Sequence, residues 1–429
     1  MKVLATAQRP ADPQIGVQPP PPSEGLLLRI AAAFRHRDFR VLWSGALVST
    51  IGTWMQKYAQ SWLVLSLTGS TFYLGLDELL SQLPIILFTL IGGVIADRHD
   101  RRRLLIGSQY VQALSALILA WLVWTGRVEI WHILALSFLS GCGQAFGGPA
   151  YQSLVPSLVP RKDLPNAIAL NSIQFNLSRV LGPMIGTPIL ILVGAAACFF
   201  VNSLSFFVVV FALMSLRIVH TPQTAPNRIM HDLRGGLEYV RTEPAIRMLT
   251  VLVFFSTFLS WPLTTFLPYF AMSVLTGGSY ETRLAGLMIS QGMGAITGAL
   301  IVAGLGKFAH MGRALLSIQI ALGLLLAAFA ATRWLPLSYV LLFVSGATAM
   351  MVFSLSSSLV QLVVPDRLRG RVMSIYMLSL RGGGPIGAFA SGWIATYISA
   401  PVMLAVNGGL LTLLALYYLV VKRDGVREL

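Results

Sequence analysis

Residues 92–105 read GGVIADRHDRRRLL, with Asp97, Asp100, Arg98, Arg101, Arg102 and Arg103 crowded between an apolar run that ends near Ala96 and another that begins at Leu104. A charge at bilayer depth costs at least a few kcal/mol, so a short charged knot between two long apolar runs reads as a loop at a membrane surface. The same alternation continues outward in both directions. The chain of 429 residues is 55% hydrophobic and only 11% charged, against roughly a quarter charged in soluble domains. A soluble enzyme is excluded by that balance. Twelve helical spans of about 20 residues each would occupy most of the chain.

The first six spans are expected at about 41–66, 74–96, 104–124, 131–156, 167–193 and 196–216. The second six are expected at about 247–274, 284–306, 314–331, 337–362, 372–397 and 401–421. The fold class is therefore an all-α membrane protein of two six-helix bundles, 39–216 and 247–421. Residues 1–38 read as a disordered cytosolic tail, with Pro10, Pro13 and Pro19 to Pro22, followed by a short lead-in helix; such a composition cannot bury enough apolar surface to offset ordering. Between the bundles, 217–246 predicts an amphipathic surface helix. Ile229, Met230, Leu233, Leu237 and Val240 fall on one side of it, and Arg228, Asp232, Glu238 and Arg241 on the other. Residues 422–429 form a second cytosolic tail.

The formal net charge of +15 would suggest an acidic partner in a soluble protein. Its distribution says otherwise. With both termini inside, 25 of the 31 Lys and Arg residues fall on the cytosolic side, the bias that orients polytopic membrane proteins. Nucleic acid is not an expected partner, and the lipid bilayer is. Cys142 and Cys198 fall within spans, far from metal-ligand spacing, and read as small packing residues.

The two halves resemble one another. SLVPSLVPRKDL at 153–164 matches SLVQLVVPDRL at 358–368, and Gly182-Pro183 matches Gly384-Pro385. A half-chain repeat of this kind implies two related bundles with a substrate site near midplane between them. The Gly-Pro pairs are expected to interrupt their helices.

The loop at 92–105 is similar to the cytoplasmic loop motif of the major facilitator superfamily, with Gly93, Asp97, Arg98, Arg101 and Arg102 in register. That resemblance implies that Gly93 permits close packing of the second span on the eleventh, while Asp97 and the arginines form a charge network that closes the cytosolic gate. Asp100 stands where the broad family prefers Gly, and the matching second-half loop has Ala309 where an acid would align. GTWMQKYAQSWLVLSLTGS (52–70), SRVLGPMIG (178–186) and VPDRLRGRVMSIY (364–376) resemble the bacterial drug and siderophore exporter branch. In many such relatives an acid occupies the position of Ser61, so a proton carrier in the first span is in doubt.

Three cations and two acids fall inside the spans. Lys57, Arg179 and Arg381 lie too deep to reach the cytosolic surface. Arg179, Asn171, Gln174, Ser178 and Gly182 follow three-and-four spacing and are expected to line the central cavity. The alternative for Arg179 and Arg381 is capping of carbonyls freed at the Gly-Pro sites; for Lys57 it is snorkelling to the outer face. Asp77 and Glu78 are the proton-carrier candidates, three or four residues from the outer end of the second span, where simple exposure at the rim is the rival reading. Only one can face the cavity squarely, and Asp77 is preferred. In the seventh span Phe254, Phe258 and Trp261 share a face, and Pro262 and Pro268 permit a bend; Phe258 and Trp261 are candidate substrate contacts.

These residues favour an exporter of a small amphipathic compound, drug or siderophore-like, acting as a monomer in the bacterial inner membrane by proton-coupled antiport. A lysolipid or lipid flippase of the same superfamily and a non-transporting sensor or scaffold are the competing readings. Neither a phosphate-binding glycine loop nor a metal-ligand cluster is present in the sequence. No enzyme activity and no cofactor beyond an ion gradient are expected.

Overall fold

The computed structural model describes residues 32–98, 100–216, 229–306, 308–365 and 368–421, with only the backbone described for 89–98 and 229–234. The expectations for residues 1–31 and 422–429, for Arg228, and for the side chains of Gly93, Asp97, Arg98, Ile229, Met230, Asp232 and Leu233 lie outside the described residues.

After a 3-10 turn at Ala32–Arg35 the first bundle runs α1 Arg37–Thr68, α2 Thr71–Arg98, α3 Arg101–Trp124, α4 Ile130–Leu154, α5 Leu164–Leu192 and α6 Ala195–Met214. A linking helix, α7 Ile229–Thr242, leads to α8 Pro244–Thr265, α9 Tyr280–Leu305, α10 Met311–Ala331, α11 Leu335–Val363, α12 Arg369–Ile398 and α13 Ala400–Val420. No strand occurs among the described residues. Ten of the long helices, in whole, in part or within a slightly longer stretch, are apolar enough to cross a membrane by length and composition among the described residues. The other two, α1 and α12, are as long but carry Gln56, Lys57 and Gln60, or Arg369, Arg371 and Arg381. Polar residues at membrane depth belong inside a bundle or against a wet cleft, and these two helices prove central to the site.

Local signals set the helix ends. α1 stops at Gly69, whose φ of 61° is the left-handed cap that glycine adopts without Cβ strain. Asp100 accepts the backbone N–H groups of Arg102 and Arg103 and so caps α3; the departure from the family's glycine thus starts a helix. Ser279 does the same for α9. Because α2 begins at Thr71, Asp77 and Glu78 lie deeper than the rim position expected from a span starting at 74. α8 is interrupted at Phe266 and continues through Leu267–Tyr269 into a π turn at Phe270–Val274, the bend that Pro262 and Pro268 permit.

The Gly-Pro pairs do not break their helices. Both α5 and α12 run through them, and their glycines serve close packing. A Cβ on Gly182 would fall 2.5 Å from Cβ of Trp54 on α1, and one on Gly384 would fall 2.9 Å from the ring of Trp261 on α8. The linking helix packs on α12 through Gly236, where a Cβ would lie 2.9 Å from the Arg371 carbonyl, and through buried Val240, while Leu237 is exposed.

The helices alternate in direction, so the loop at 100–103 defines a basic face and the α1–α2 turn a far face. The bundles meet along two helix pairs, α2 with α12 and α5 with α9. In the far half one apolar cluster runs across both bundles, joining Met55, Tyr58, Leu74 and Phe199 to Leu263, Phe266, Phe270, Leu284 and Leu404. In the basic half the cores are separate. One joins Phe39, Leu42, Leu105, Leu158 and Leu213 of the first bundle; the other joins Leu249, Met311, Leu359, Val372 and Tyr376 of the second.

Candidate functional site: a charged crossing between the bundles

The site starts from α1, where Lys57 and Gln60 project on one side at three-residue spacing, and α2, which supplies Asp77 and Glu78. Gln60 donates its amide to both carboxylate oxygens of Asp77, at 3.0 and 2.8 Å, and to Ser137 Oγ of α4 at 2.9 Å. Ser137 in turn donates to Asp77. These partners of Asp77 belong to its own bundle. Glu78 is different: it is 7% exposed, and its carboxylate meets Lys57 Nζ at 3.0 Å and accepts the indole N–H of Trp261 at 3.1 Å. Adjacent helical residues diverge by about 100°, so the carboxylate that reaches the opposite bundle is Glu78 and not the preferred Asp77. A buried carboxylate needs such partners, since burial without them costs several kcal/mol per ion.

Lys57 is therefore neither a free cavity cation nor a snorkelling side chain. Its Nζ also lies 5.6 Å from the centre of the Trp54 ring. Three further ties flank the crossing. Tyr58 Oη donates to the Glu281 carbonyl at 2.9 Å, Thr71 Oγ1 donates to the Gly392 carbonyl at 3.3 Å, and Trp62 stacks on Tyr280 with ring centres 6.1 Å apart.

Trp261 also walls a pocket with Arg179, Ser260, Thr264, Gln291, Ser345 and Phe353. Thr264 and Gln291 hydrogen-bond each other, whereas Ser345 Oγ is buried with no partner. The Arg179 guanidinium lies 5.3 Å from the centre of the Trp54 ring, within cation–π range, and has no hydrogen bond or ion pair among the described residues. Carbonyl capping by Arg179 is thus not what the structure contains. Arg381 is exposed on α12 and likewise has neither among the described residues.

The rest of the expected polar stripe turns away from the pocket. Gln174, 5% exposed, donates to Thr50 Oγ1 of α1 at 2.9 Å, and buried Ser178 bonds the Gln174 carbonyl. Asn171 accepts from Tyr151 Oη at 3.3 Å. Three-and-four spacing marks a face correctly but not what covers it, and here α1 covers Gln174 and Gly182 while α4 holds Asn171. Phe258 stacks on Phe254 at 5.9 Å, and a Cβ on Gly387 would collide with its carbonyl, so it packs on α12. Trp54, Gln60, Gln291 and Ser345 escaped the sequence reading. Trp54 alone left a signal, since it and Trp261 stand at matching places in the two halves.

At the basic face, Arg101 donates to the Ser153 carbonyl at 3.2 Å and Arg102 to the Met214 carbonyl at 2.6 Å. These two arginines hold the ends of α4 and α6 through carbonyl oxygens left over at helix C-termini. Both contacts stay within the first bundle.

Residues 30–427 match the family described as transmembrane secretion effector. The multidrug efflux pump Tap of Mycolicibacterium fortuitum is 26% identical over 82% of this chain and 87% of its own length. Macrolide efflux protein A of Streptococcus pyogenes is 22% identical over 88% and 94%, and the enterobactin exporter EntS of Escherichia coli O139:H28 is 24% identical over 92% and 94%. The fold is that of the peptide transporter POT, with a TM-score of 0.72 at 13% identity over 91% of this chain and 95% of that one. Helices, half-repeat, loop motif and full-length relatives agree: the chain is a multi-pass membrane transporter that belongs to the transmembrane secretion effector family of the major facilitator superfamily.

Proposed function

We propose that the protein exports a small amphipathic compound, of the drug or siderophore kind, across the bacterial cytoplasmic membrane in exchange for protons, with its basic face and both termini in the cytosol. The efflux relatives support the direction of transport. The observation that carries the mechanism is the crossing Lys57–Glu78–Trp261, which joins the bundles in the half where they also share an apolar core. An inward-facing carrier has this arrangement: sealed outside, with separate cores toward the cytosol.

Alternating access needs an element with two states biased by the driving ion. Glu78 suits that part. As a carboxylate it holds Lys57 and the Trp261 N–H; once protonated it loses the ion pair and becomes a poorer acceptor. A proton arriving at Glu78 loosens the outer tie, and its release toward the cytosol restores it. Asp77, satisfied within its own bundle, keeps Gln60 and α4 in register beside the switch. The pocket beside Trp261 combines aromatic walls with the unpaired guanidinium of Arg179, which suits an amphipathic cargo.

The test is uptake of a fluorescent macrolide and of a catechol siderophore into everted vesicles, with and without an inward-acid pH gradient. Gradient-dependent uptake is expected, and Glu78→Gln should lower it at least tenfold while leaving the protein folded. Uptake that persists unchanged without any ion gradient, or is unaltered in Glu78→Gln, ends the antiport reading.

A further inference from the structure

The half-repeat extends to a residue that the mechanism above leaves unused. Arg179-Val-Leu-Gly182-Pro183 in α5 corresponds to Arg381-Gly-Gly-Gly384-Pro385 in α12 at the same offset as the Gly-Pro pairs. In each case the glycine lies against a tryptophan from the first long helix of its own bundle, Trp54 or Trp261. The arginines are thus structural counterparts, each three residues nearer the basic face than its glycine.

Both stand on the seam between bundles. On α12, at 100° per residue, Arg381 shares a direction with Ala388 and Gly392. The Ala388 carbonyl lies 2.5 Å from a Cβ built on Gly75, and a Cβ on Gly392 would lie 2.7 Å from the Thr71 carbonyl. Arg381 therefore faces α2 two turns inward of that contact, where it is exposed. On α5, a Cβ on Gly292 of α9 would touch the backbone and Cβ of Arg179 at 3.8 Å. Arg179 thus lies between Trp54 and α9 of the other bundle, and Arg381 lies on the side of α12 turned toward α2.

Neither guanidinium has a hydrogen bond or ion pair among the described residues. The nearest intramembrane acids are engaged elsewhere, Glu78 with Lys57 and Trp261, and Asp77 with Gln60 and Ser137. Unpaired cations at membrane depth are costly, and beside Arg179 the pocket also holds the partnerless hydroxyl of Ser345, 1% exposed. We propose that Arg179 and Arg381 are the two halves of one anion clamp, one from each bundle, so that the preferred ligand is an amphipathic molecule carrying two separated anionic groups. An apolar or aromatic body between those groups would lie against Trp261 and Phe353. A ligand gripped from both sides draws on the bundles' relative position, which is what a carrier must sense.

The ligand is cargo only if the export reading holds, so binding is measured without a gradient. Purified full-length protein in detergent is titrated with isophthalate, its monomethyl ester and its dimethyl ester, followed by tryptophan fluorescence and calorimetry. The dianion should bind about tenfold more tightly than the monoester, and the monoester more tightly than the diester. Arg179→Gln and Arg381→Gln should each erase the advantage of the dianion over the monoester. Arg179→Lys and Arg381→Lys, which keep the charge and guard against a folding defect, should retain part of it. Equal binding of the three probes, binding of none, or an undiminished dianion preference in both Gln variants would overturn the clamp. Dianion preference without gradient-driven uptake in vesicles would leave the clamp standing and remove the export reading; uptake without the preference would do the reverse.

Discussion

The far and basic halves of this transporter differ in how the bundles meet. Toward the far face they share an apolar cluster and polar ties that include Glu78 to Trp261 and Tyr58 to Glu281. Toward the basic face each bundle keeps its own core, and Arg101 and Arg102 secure carbonyls within the first bundle. The same helices run through both halves, so the difference is not one of composition. In the proposed mechanism, inter-bundle adhesion is concentrated where a change of state would undo it, while intra-bundle adhesion is maintained where the cores are separate. Polar ties would suit that proposed task, because protonation can switch an ion pair and cannot switch an apolar contact.

The largest effect expected from breaking this contrast is at Lys57. Lys57→Ala leaves buried Glu78 with only the Trp261 N–H; stripping one partner from a fully buried ion pair costs about 3–5 kcal/mol, and the 35% exposure of the Lys57 side chain places this pair at or below the low end. Thermal unfolding in detergent should show the loss, and the double variant Lys57→Met with Glu78→Gln should recover most of it. Next comes Trp261→Phe, which keeps the ring against Gly384 but removes a hydrogen bond to a charged acceptor, worth about 1.5–3 kcal/mol. It should raise maleimide labelling of a cysteine placed at Ser70, at the far end of the seam, with little change in unfolding temperature.

Gly75→Ala sharpens the comparison from the packing side. The added Cβ would meet the backbone carbonyl of Ala388 at 2.5 Å, and overpacking of this kind costs about 1–3 kcal/mol. Because the obstacle is the other bundle, the same labelling assay should report a shift toward the far-open state. The smallest effect belongs to Arg102→Gln, which removes one exposed carbonyl contact within the first bundle, reduced by solvent to about 0.5–1.5 kcal/mol although the donor is charged. It should leave far-side labelling unchanged. If Arg102→Gln altered that labelling as much as Trp261→Phe, the two halves would not divide their tasks as described.

Much of the architecture was legible along the chain. Apolar runs and the basic bias of alternate loops located the spans, and Gly182-Pro183 with Gly384-Pro385 revealed the repeat. The charged side chains at depth were also visible, but their roles were not. Lys57 looked like one of three equivalent cations, yet its charge is matched by Glu78 from the next helix. The stripe through Gln174, Ser178 and Gly182 looked like a cavity wall and proved to be the seam with α1. The sequence favoured Asp77, but one residue of helical rotation, and nothing in the chemistry of the two acids, decides that Glu78 reaches the opposite bundle. The Gly-Pro pairs looked like breaks because proline's effect is local, whereas the helices that pack on their glycines, through Trp54 and Trp261, are remote in sequence.

By itself the sequence determined that this chain spans a membrane in two related halves, since hydropathy, charge bias and the repeat are properties read along one dimension. Only the tertiary structure decided which buried charges are paired, which glycines bring helices together, and which half of the bundles is joined. Those outcomes depend on rotations of about 100° between neighbouring side chains and on contacts between residues as far apart as Glu78 and Trp261. No local pattern encodes the partner at the other end of such a contact.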